Sequence, residues 1–525
     1  MMQTSNMRRY WFYFGIILIL IGLPFSRAFI SFGQAALALT FLIDRNFVSK
    51  VKKLITNKAF LASILFYIVL IFGALYSENK EETYSELRTR IPLILFPLVF
   101  ASEPPISHKV FKKFILVFII SVSLSLTYSL FLYFSKDLGD FRDAFIFNSH
   151  IRISLELVLS IVFLLYLTFR KNHCFSKYRV LFILLALYLA WAMLSLELLS
   201  GIIVMFILSI VLIIRLVASN TNPVVIRTTI VLSLLAIIGS FVFINSAINS
   251  YTKVAAIEEL ELEKLSPYGN LYFHNPSDFQ IENGSYIGIY IQWQEMEQEW
   301  NKRSNINFNS KDNRGQNLKY TLLRYLNSKH LRKDADGVNV LSSQDIINIE
   351  NGVANVEYAN KFSFRKRIYK LLWEWDSYKR GNKNAGHTII QRLELWHTSS
   401  SIINENFIFG IGTGDIKREL NKKFIENNSA LANSGLKSHN EFVSVLLSVG
   451  IVGLIVFLFS MFYPPFVLGT WRNPLFIYFF IILFVSMFWE DTLGTMVGAT
   501  LFAFFNAIYL FGLEAMDNTN PTDIQ

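Results

Sequence analysis

The sequence predicts an all-α polytopic membrane protein of about twelve transmembrane helices, with a large, mostly helical outer domain between the ninth and tenth spans. Three observations lead there. Of 525 residues, 53% are hydrophobic and the mean hydropathy is +0.39, more apolar surface than a water-soluble fold hides. Apolar runs long enough to approach a bilayer's thickness recur through most of the chain. Lys and Arg cluster in alternate gaps between those runs.

The runs lie at roughly 10–26, 28–43, 59–76, 91–101, 110–134, 151–169, 179–196, 200–218, 224–246, 442–468, 474–489 and 492–514. The fourth is short and carries Pro92 and Pro97, and the seventh and eighth are separated only by a break at 196–200. Met7-Arg8-Arg9 precede the first run. Arg45, Lys50, Lys52, Lys53 and Lys58 follow the second, Lys109, Lys112 and Lys113 the fourth, and Arg170, Lys171, Lys177 and Arg179 the sixth. Arg215 and Arg227 flank the turn between the eighth and ninth. With both termini cytoplasmic, every basic cluster falls on the cytoplasmic side of a bacterial inner membrane. The gaps on the other side are acidic or mixed, as in Ser77 to Glu82 and Trp489-Glu490-Asp491.

The formal charge of +10 is then explained by basic loops against anionic lipid heads, and no nucleic-acid partner is called for. A single cysteine, Cys174, excludes disulfides and cysteine-ligated metal as organising features. More spans follow the first run, which reads as an anchor and not a cleaved signal.

Three regions follow: a membrane bundle over 1–246, a polar outer domain over 247–441, and a C-terminal bundle with a short tail over 442–525. In the polar segment, apolar residues return at helical spacing, first as Leu322, Leu323, Tyr325 and Leu326. Ile346, Ile347, Ile349 and Val353 make a second stripe, and Ile368, Leu371, Leu372 and Trp375 a third, with a further helix from Arg392 to Ile403. Tyr286 to Ile291 alternates Tyr, Ile and Gly, as a short strand or an interfacial patch would.

The chemistry gathers where the polar segment ends. His439-Asn440 stand directly before the tenth run, which contains Gly450 and Gly453. An imidazole at a water–lipid boundary can accept a proton from a hydroxyl near neutral pH; a polar helix cap is the plainer reading. Upstream come Arg392-Leu-Glu-Leu-Trp396 and then Gly410-Ile-Gly412-Thr-Gly414-Asp415. Arg392 alone reads as a surface ion pair with Glu394 or another neighbour. The three glycines follow no strand of a βαβ unit, so they predict a tight turn and not a nucleotide loop, with Asp415 as the next helix's N-cap. Asp334-Ala-Asp336-Gly337 hints at a calcium loop, but Arg332 and Ser343 would stand at the first and last ligand positions. Arg88 and Arg90, and His150 with Arg152, lie at outer mouths of spans, placed for lipid phosphates or for an anionic substrate.

In this order, Arg-x-x-x-Trp, an apolar helix, the glycine turn and His-Asn before Gly-x-x-Gly resemble the O-antigen ligase and polymerase superfamily. Arg324-Tyr-Leu, Lys333-Asp-Ala-Asp-Gly337, and Asp345-Ile346 to Glu350-Asn-Gly352 are similar to the outer loop of its Bacteroidetes-type branch. The resemblance implies an enzyme, a metal-independent and cofactor-free glycosyltransferase. Its donor would be a glycan on undecaprenyl pyrophosphate and its acceptor a hydroxyl, with lipid A-core foremost. It implies His439 as the catalytic histidine and Arg392 as a pyrophosphate-facing arginine, and Asn440 beside the histidine would orient it or the substrate. A polysaccharide polymerase and a protein-glycosylating relative share the chemistry. A transporter or lipid flippase remains a different class, although the spans carry few mid-membrane charges beyond Glu156, one turn from Arg152. The chain departs from the family at the turn Leu196 to Gly201, which lacks the arginine many members place there. Arg152, Arg90 or Arg88 would have to supply that contact.

Overall fold

The computed structural model describes residues 2–44, 46–136, 141–169, 176–219, 222–256, 261–275, 277, 280–360, 363–380 and 388–514. Arg45, Arg170, Lys171 and Cys174 lie outside the described residues. The helices of the first half are α1 (Met2–Phe25), α2 (Arg27–Leu42), α3 (Phe47–Thr56), α4 (Lys58–Tyr76), α5 (Lys80–Arg90), α6 (Pro92–Ser102), α7 (His108–Ser135), α8 (His150–Phe169), α9 (Arg179–Ser195), α10 (Leu199–Ser219) and α11 (Pro223–Thr252). A two-stranded antiparallel ribbon, β1 (Ile281–Glu282) with β2 (Ser285–Tyr286), comes next. Then follow α12 (Trp293–Arg303), α13 (Leu318–Ser328), α14 (Ala335–Asn339), α15 (Ser343–Glu350), α16 (Val356–Ala359), α17 (Phe364–Lys379), α18 (Thr388–Glu405), α19 (Ile416–Glu426), α20 (Glu441–Val467), α21 (Pro474–Ser486) and α22 (Met496–Ala507).

The chain is mostly helical, and each of the predicted apolar runs forms a helix. Among the described residues six helices are long and apolar enough to cross a membrane, or seven when the bent pair α2 and α3 is taken as one span. The rest are shorter for local reasons. The 16 residues of α2 cover about 24 Å at 1.5 Å per residue, against a hydrocarbon core of about 30 Å. Pro92 opens α6 at its first turn, cutting an 11-residue apolar helix from the polar α5.

Contacts divide the chain into two compact units, residues 1–211 with 391–525, and residues 212–390. The polar segment is therefore shared, residues 391–441 belonging with the first unit. In that unit the core is rich in phenylalanine. Phe118 meets Phe505 edge-on at 5.4 Å between ring centroids, and Phe96 and Phe100 both pack on Phe504.

Helix ends in the first unit sort into two sets through their polar contacts. Arg8 and Lys50 both pair with Asp44 and Glu103, joining the start of α1, the α2–α3 corner and the end of α6. Ile106 N–H donates to the Gly512 carbonyl at 2.7 Å, adding the start of α7 and the C-terminal end of the last helical segment. At the opposite ends, Asn148 donates to the Leu23 carbonyl at 3.0 Å, Arg90 lies 3.7 Å from Glu441, and Glu441 N–H donates to the Met487 carbonyl at 2.9 Å. His439 belongs to this second set.

The second unit takes in the long α11 and, beyond it, a set of shorter helices. Leu322, Leu323, Tyr325 and Leu326 of α13 are all buried, as their spacing predicts, with Ile346 and Ile349 of α15 against them. Tyr286 to Ile291 forms the edge of the ribbon and a bridge to Phe273, burying Ile287 and Ile291. Arg324 grips the fully buried Glu282 through two bonds of 3.0 and 2.9 Å while lying 3.4 Å over the Trp373 ring. Asp334 is no calcium ligand here but the cap of α14, accepting from Gly337 N–H at 2.9 Å. Asp345 completes a capping box with Ser342 at α15 and accepts from the Tyr325 hydroxyl at 2.7 Å. Lys333 donates to the Tyr286 carbonyl at 3.1 Å, and burial pushes its amine down to about 7.

Candidate active site at one end of the helix bundle

Local backbone chemistry dictates how His439 is presented. Asn440 is the N-cap of α20, its side-chain oxygen accepting from the N–H groups of Phe442 and Val443 at 3.0 and 3.1 Å. Its amide nitrogen donates to the Phe488 carbonyl at 2.9 Å. The side chain is thus occupied in fixing the helix start. His439, one residue earlier, has a φ of +51°, a left-handed conformation that a non-glycine residue keeps only where its surroundings enforce it. Here they do. Its N–H donates to Asp491 Oδ2 at 3.0 Å, and the carbonyl before it, that of Ser438, accepts from Trp396 Nε1 at 2.9 Å. Among the described residues the imidazole itself takes no hydrogen bond, and the residue is partly exposed.

The glycine turn docks onto a break in α20. Gly450 has φ +65° and ψ −166°, which interrupts the helical ladder. The freed Leu447 and Ser448 carbonyls accept from Ile411 and Gly412 N–H at 2.8 and 3.0 Å, and Ile451 N–H donates to the Phe407 carbonyl at 2.9 Å. Irregular backbone inside an apolar bundle persists only when its groups are re-satisfied in this way. Gly410, φ +71°, lies so close that a Cβ would meet the Leu447 oxygen at 2.5 Å, and a Cβ on Gly450 would strike Ile408. One on Gly414 would strike Thr83, and one on Gly453 the Val449 side chain. The expected tight turn is present, but Asp415 departs from expectation. It occupies the N-cap position of α19, but its side chain makes no capping hydrogen bond there. Its carboxylate instead accepts from Ser77 Oγ, Glu78 N–H and Asn79 N–H at 2.7 to 2.9 Å, holding the corner between α4 and α5.

Asp491 and Glu490, in the turn between α21 and α22, organise the charges around His439. Asp491 accepts from Ser444 Oγ at 2.5 Å as well as from His439 N–H. Arg392 does not pair with Glu394; its Nη2 donates to Glu490 Oε1 at 2.8 Å, 98 residues away. Arg152, 4% exposed, donates through Nε to Thr495 Oγ1 and through Nη2 to the Asp491 carbonyl, both at 3.0 Å. Its Nη1 and the Nε of Arg392 are buried with no hydrogen-bond partner among the described residues. Burial pushes the Glu490 carboxyl above its ordinary range, opposed by the charges of Arg152, Arg392 and His439 around it.

The remaining predicted residues fall at different distances from this centre. Arg90 pairs with Glu86 on its own helix and approaches Glu441, and Lys437 also pairs with Glu86. Burial alone would raise the Glu86 carboxyl, but Arg90 and Lys437 hold it at about 2. Arg88 is exposed, its guanidinium 5.9 Å over the Tyr84 ring. His150 packs edge-on to Phe141 at 5.5 Å. Arg152 directs two nitrogens to the α22 start and not to Glu156, whose oxygens lack a hydrogen-bond partner among the described residues. Sequence reasoning missed Glu490 and Asp491 as site residues, reading them only as an acidic loop. The available signal was two adjacent carboxylates in a short turn between apolar runs, which must be paired if buried.

Fold and site together describe a helical, multi-pass membrane protein with a histidine, arginines and carboxylates gathered at one end of its bundle. Residues 338–458 match the family model described as O-antigen ligase, which supports membership of the O-antigen ligase superfamily. The matched stretch contains Arg392, Trp396, the glycine turn, His439, Asn440, Gly450 and Gly453, whereas Arg90, Arg152, Glu490 and Asp491 lie outside it. Membership implies lipid-linked glycan substrates and a bilayer as partners. No curated protein matches the chain.

Proposed function

We propose that this protein transfers a glycan en bloc from undecaprenyl pyrophosphate to a hydroxyl acceptor, foremost a sugar of lipid A-core, on the outer face of the bacterial inner membrane. The observation that carries the reading is His439, pinned in a strained conformation beside Arg392, Glu490 and Arg152. Outside the cytoplasm no nucleotide sugar is at hand, so the donor must arrive activated. The acceptor oxygen attacks the anomeric carbon as the bond from that carbon to the diphosphate breaks. His439 takes the hydroxyl proton, and the electron pair leaves with the undecaprenyl pyrophosphate. Charge grows on that leaving group, so planar, permanently cationic Arg392 and Arg152 favour the transition state over the ground state. Asn440 acts by holding His439 and the start of α20. No metal is required where two guanidinium groups meet the phosphates.

The same reading takes all twelve runs as spans, both termini as cytoplasmic, and 247–441 as periplasmic. The two sets of helix ends support it, since Arg8 and Lys50 stand opposite His439. A polymerase would use the same residues with a second lipid-linked glycan as acceptor. Complementation of a ligase-deficient strain carrying the matching glycan and core pathways separates the outcomes. The wild type restores long glycan on lipid A-core, while His439→Ala and Arg392→Ala, present at wild-type levels, accumulate the lipid-linked donor. Lengthening of the lipid-linked glycan alone means a polymerase, and full transfer by His439→Ala removes the base assignment.

A further inference from the structure

A buried Arg152 and a part-buried Arg392, each with an unused buried N–H group, and a carboxylate in the field of both make an arrangement that the donor chemistry alone does not require. Arg392 spends Nη2 on Glu490 and leaves Nε unpaired, and Arg152, almost wholly buried, leaves Nη1 unpaired. Glu490 stands in the field of both arginines and of His439, and its side chain is only 7% exposed. Arg90 also leaves Nε unpaired, but its charge is already matched by Glu86 on its own helix and by Glu441, and Arg88 is exposed over Tyr84. Arg152 is therefore the cation left to stand in for the arginine missing from the turn Leu196 to Gly201.

We propose that Glu490 is the resident counter-ion of a diphosphate subsite formed by Arg392 and Arg152, and that an incoming diphosphate must displace it from Arg392. This rests on the lipid-diphosphate reading of the same site. Without an anion the part-buried Arg392 guanidinium would stand unpaired beside the buried Arg152, so the Glu490 carboxylate fills the place while the site is empty. Displacement sets a threshold. A monophosphate replaces the carboxylate at Arg392 alone, whereas a diphosphate is long enough to engage the unused N–H groups of both arginines. Glu490 thereby selects diphosphate over monophosphate, and its departure uncovers the Arg392 fork only when the donor arrives.

The test is the affinity of inorganic pyrophosphate and of orthophosphate for the full-length protein in zwitterionic nanodiscs, repeated with phosphatidylglycerol added. Wild type, Glu490→Gln, Glu490→Asp and Arg152→Gln are compared. Removing a charge-assisted bond to the competing carboxylate tightens pyrophosphate binding by about tenfold or more in Glu490→Gln. Orthophosphate gains more than pyrophosphate, so discrimination between the two narrows. Glu490→Asp falls between the wild type and Glu490→Gln, Arg152→Gln weakens pyrophosphate binding, and phosphatidylglycerol leaves the affinities unchanged. Unchanged or weaker pyrophosphate binding by folded Glu490→Gln overturns the counter-ion role while the donor reading stands. Loss of folding in both Glu490 variants overturns it too, because Glu490 is then a structural half of the pair. Competition by phosphatidylglycerol reassigns the subsite to a lipid headgroup. If neither wild type nor any variant binds pyrophosphate, the lipid-diphosphate reading itself fails.

Discussion

Replacing Asp491 with alanine removes the carboxylate that holds His439. Three bonds are lost, from His439 N–H at 3.0 Å, from Ser444 Oγ at 2.5 Å and a long one from Ser438 Oγ at 3.5 Å. Ser444 has a substitute, since its Oγ already lies 2.8 Å from Ser438 Oγ. His439 N–H has none in the described surroundings, and orphaning this part-buried donor costs about 1 kcal/mol. The φ of +51° adds a left-handed strain of about 1–2 kcal/mol, which the chain can now relieve by turning the residue away. The imidazole then leaves its place, and a misplacement of about 1 Å is worth about 10²-fold in rate. We therefore expect Asp491→Ala to lower the thermal midpoint modestly and glycan transfer by about 10²-fold or more. Asp491→Asn, which can accept from His439 and donate to Ser444, keeps most of both. Purified protein in nanodiscs gives both readouts, by differential scanning fluorimetry and by gel analysis of glycan joined to acceptor. A folded Asp491→Ala variant that transfers at the wild-type rate refutes this account of how His439 is positioned.

Three further outcomes follow from the same geometry. Gly410→Ala and Gly450→Ala each place a Cβ against the opposite backbone at positive φ, so each destabilises by about 2–4 kcal/mol. Because the two glycines share one contact, the double variant loses less than the sum, which paired thermal midpoints check. Glu86, held at about 2 against an ordinary 4.5, contributes stability that is complete above pH 4.5 and is lost as pH falls toward 2. Glu86→Gln should flatten that acid limb of the midpoint-versus-pH curve, although Glu490, whose carboxyl is pushed up, works in the opposite sense. Across the arginines, Arg88→Ala should leave donor affinity and stability unchanged and Arg90→Ala should unfold the protein more easily by about 3–5 kcal/mol. Arg152→Lys should raise KM for the lipid-linked donor with little change in midpoint, read from transfer kinetics beside scanning fluorimetry.

Much of the helical framework was legible because apolar runs and 3.6-residue periodicity are local signals. Leu322 to Leu326, Ile346 and Ile349 are buried as their spacing predicts, whereas Ile347 and Trp375 of the predicted stripes are exposed, and Asn440 before an apolar run is the cap its residue type favours. What escaped depends on pairs distant in sequence. Nothing near Arg392 announces Glu490, and the obvious neighbour, Glu394, is taken by Ser429. Asp415 stands where a cap belongs, yet Ser77 to Asn79 claim its carboxylate. Gly450 gave no sign of a break, since one glycine in an apolar run is compatible with a straight helix, and only the docked turn at 407–412 makes the kink stable. The three arginines Arg88, Arg90 and Arg152 look alike in sequence and part company only through their partners.

The central claim is that His439 accepts the acceptor's proton while arginines hold the leaving diphosphate. The most direct measurement is single-turnover transfer by purified protein in nanodiscs, with lipid-linked glycan and lipid A-core supplied, comparing wild type with His439→Gln and measuring pyrophosphate affinity alongside. The account predicts a loss of about 10²–10⁴-fold in the rate of transfer for His439→Gln, with pyrophosphate bound as tightly as by the wild type. Transfer by His439→Gln at the wild-type rate would contradict it.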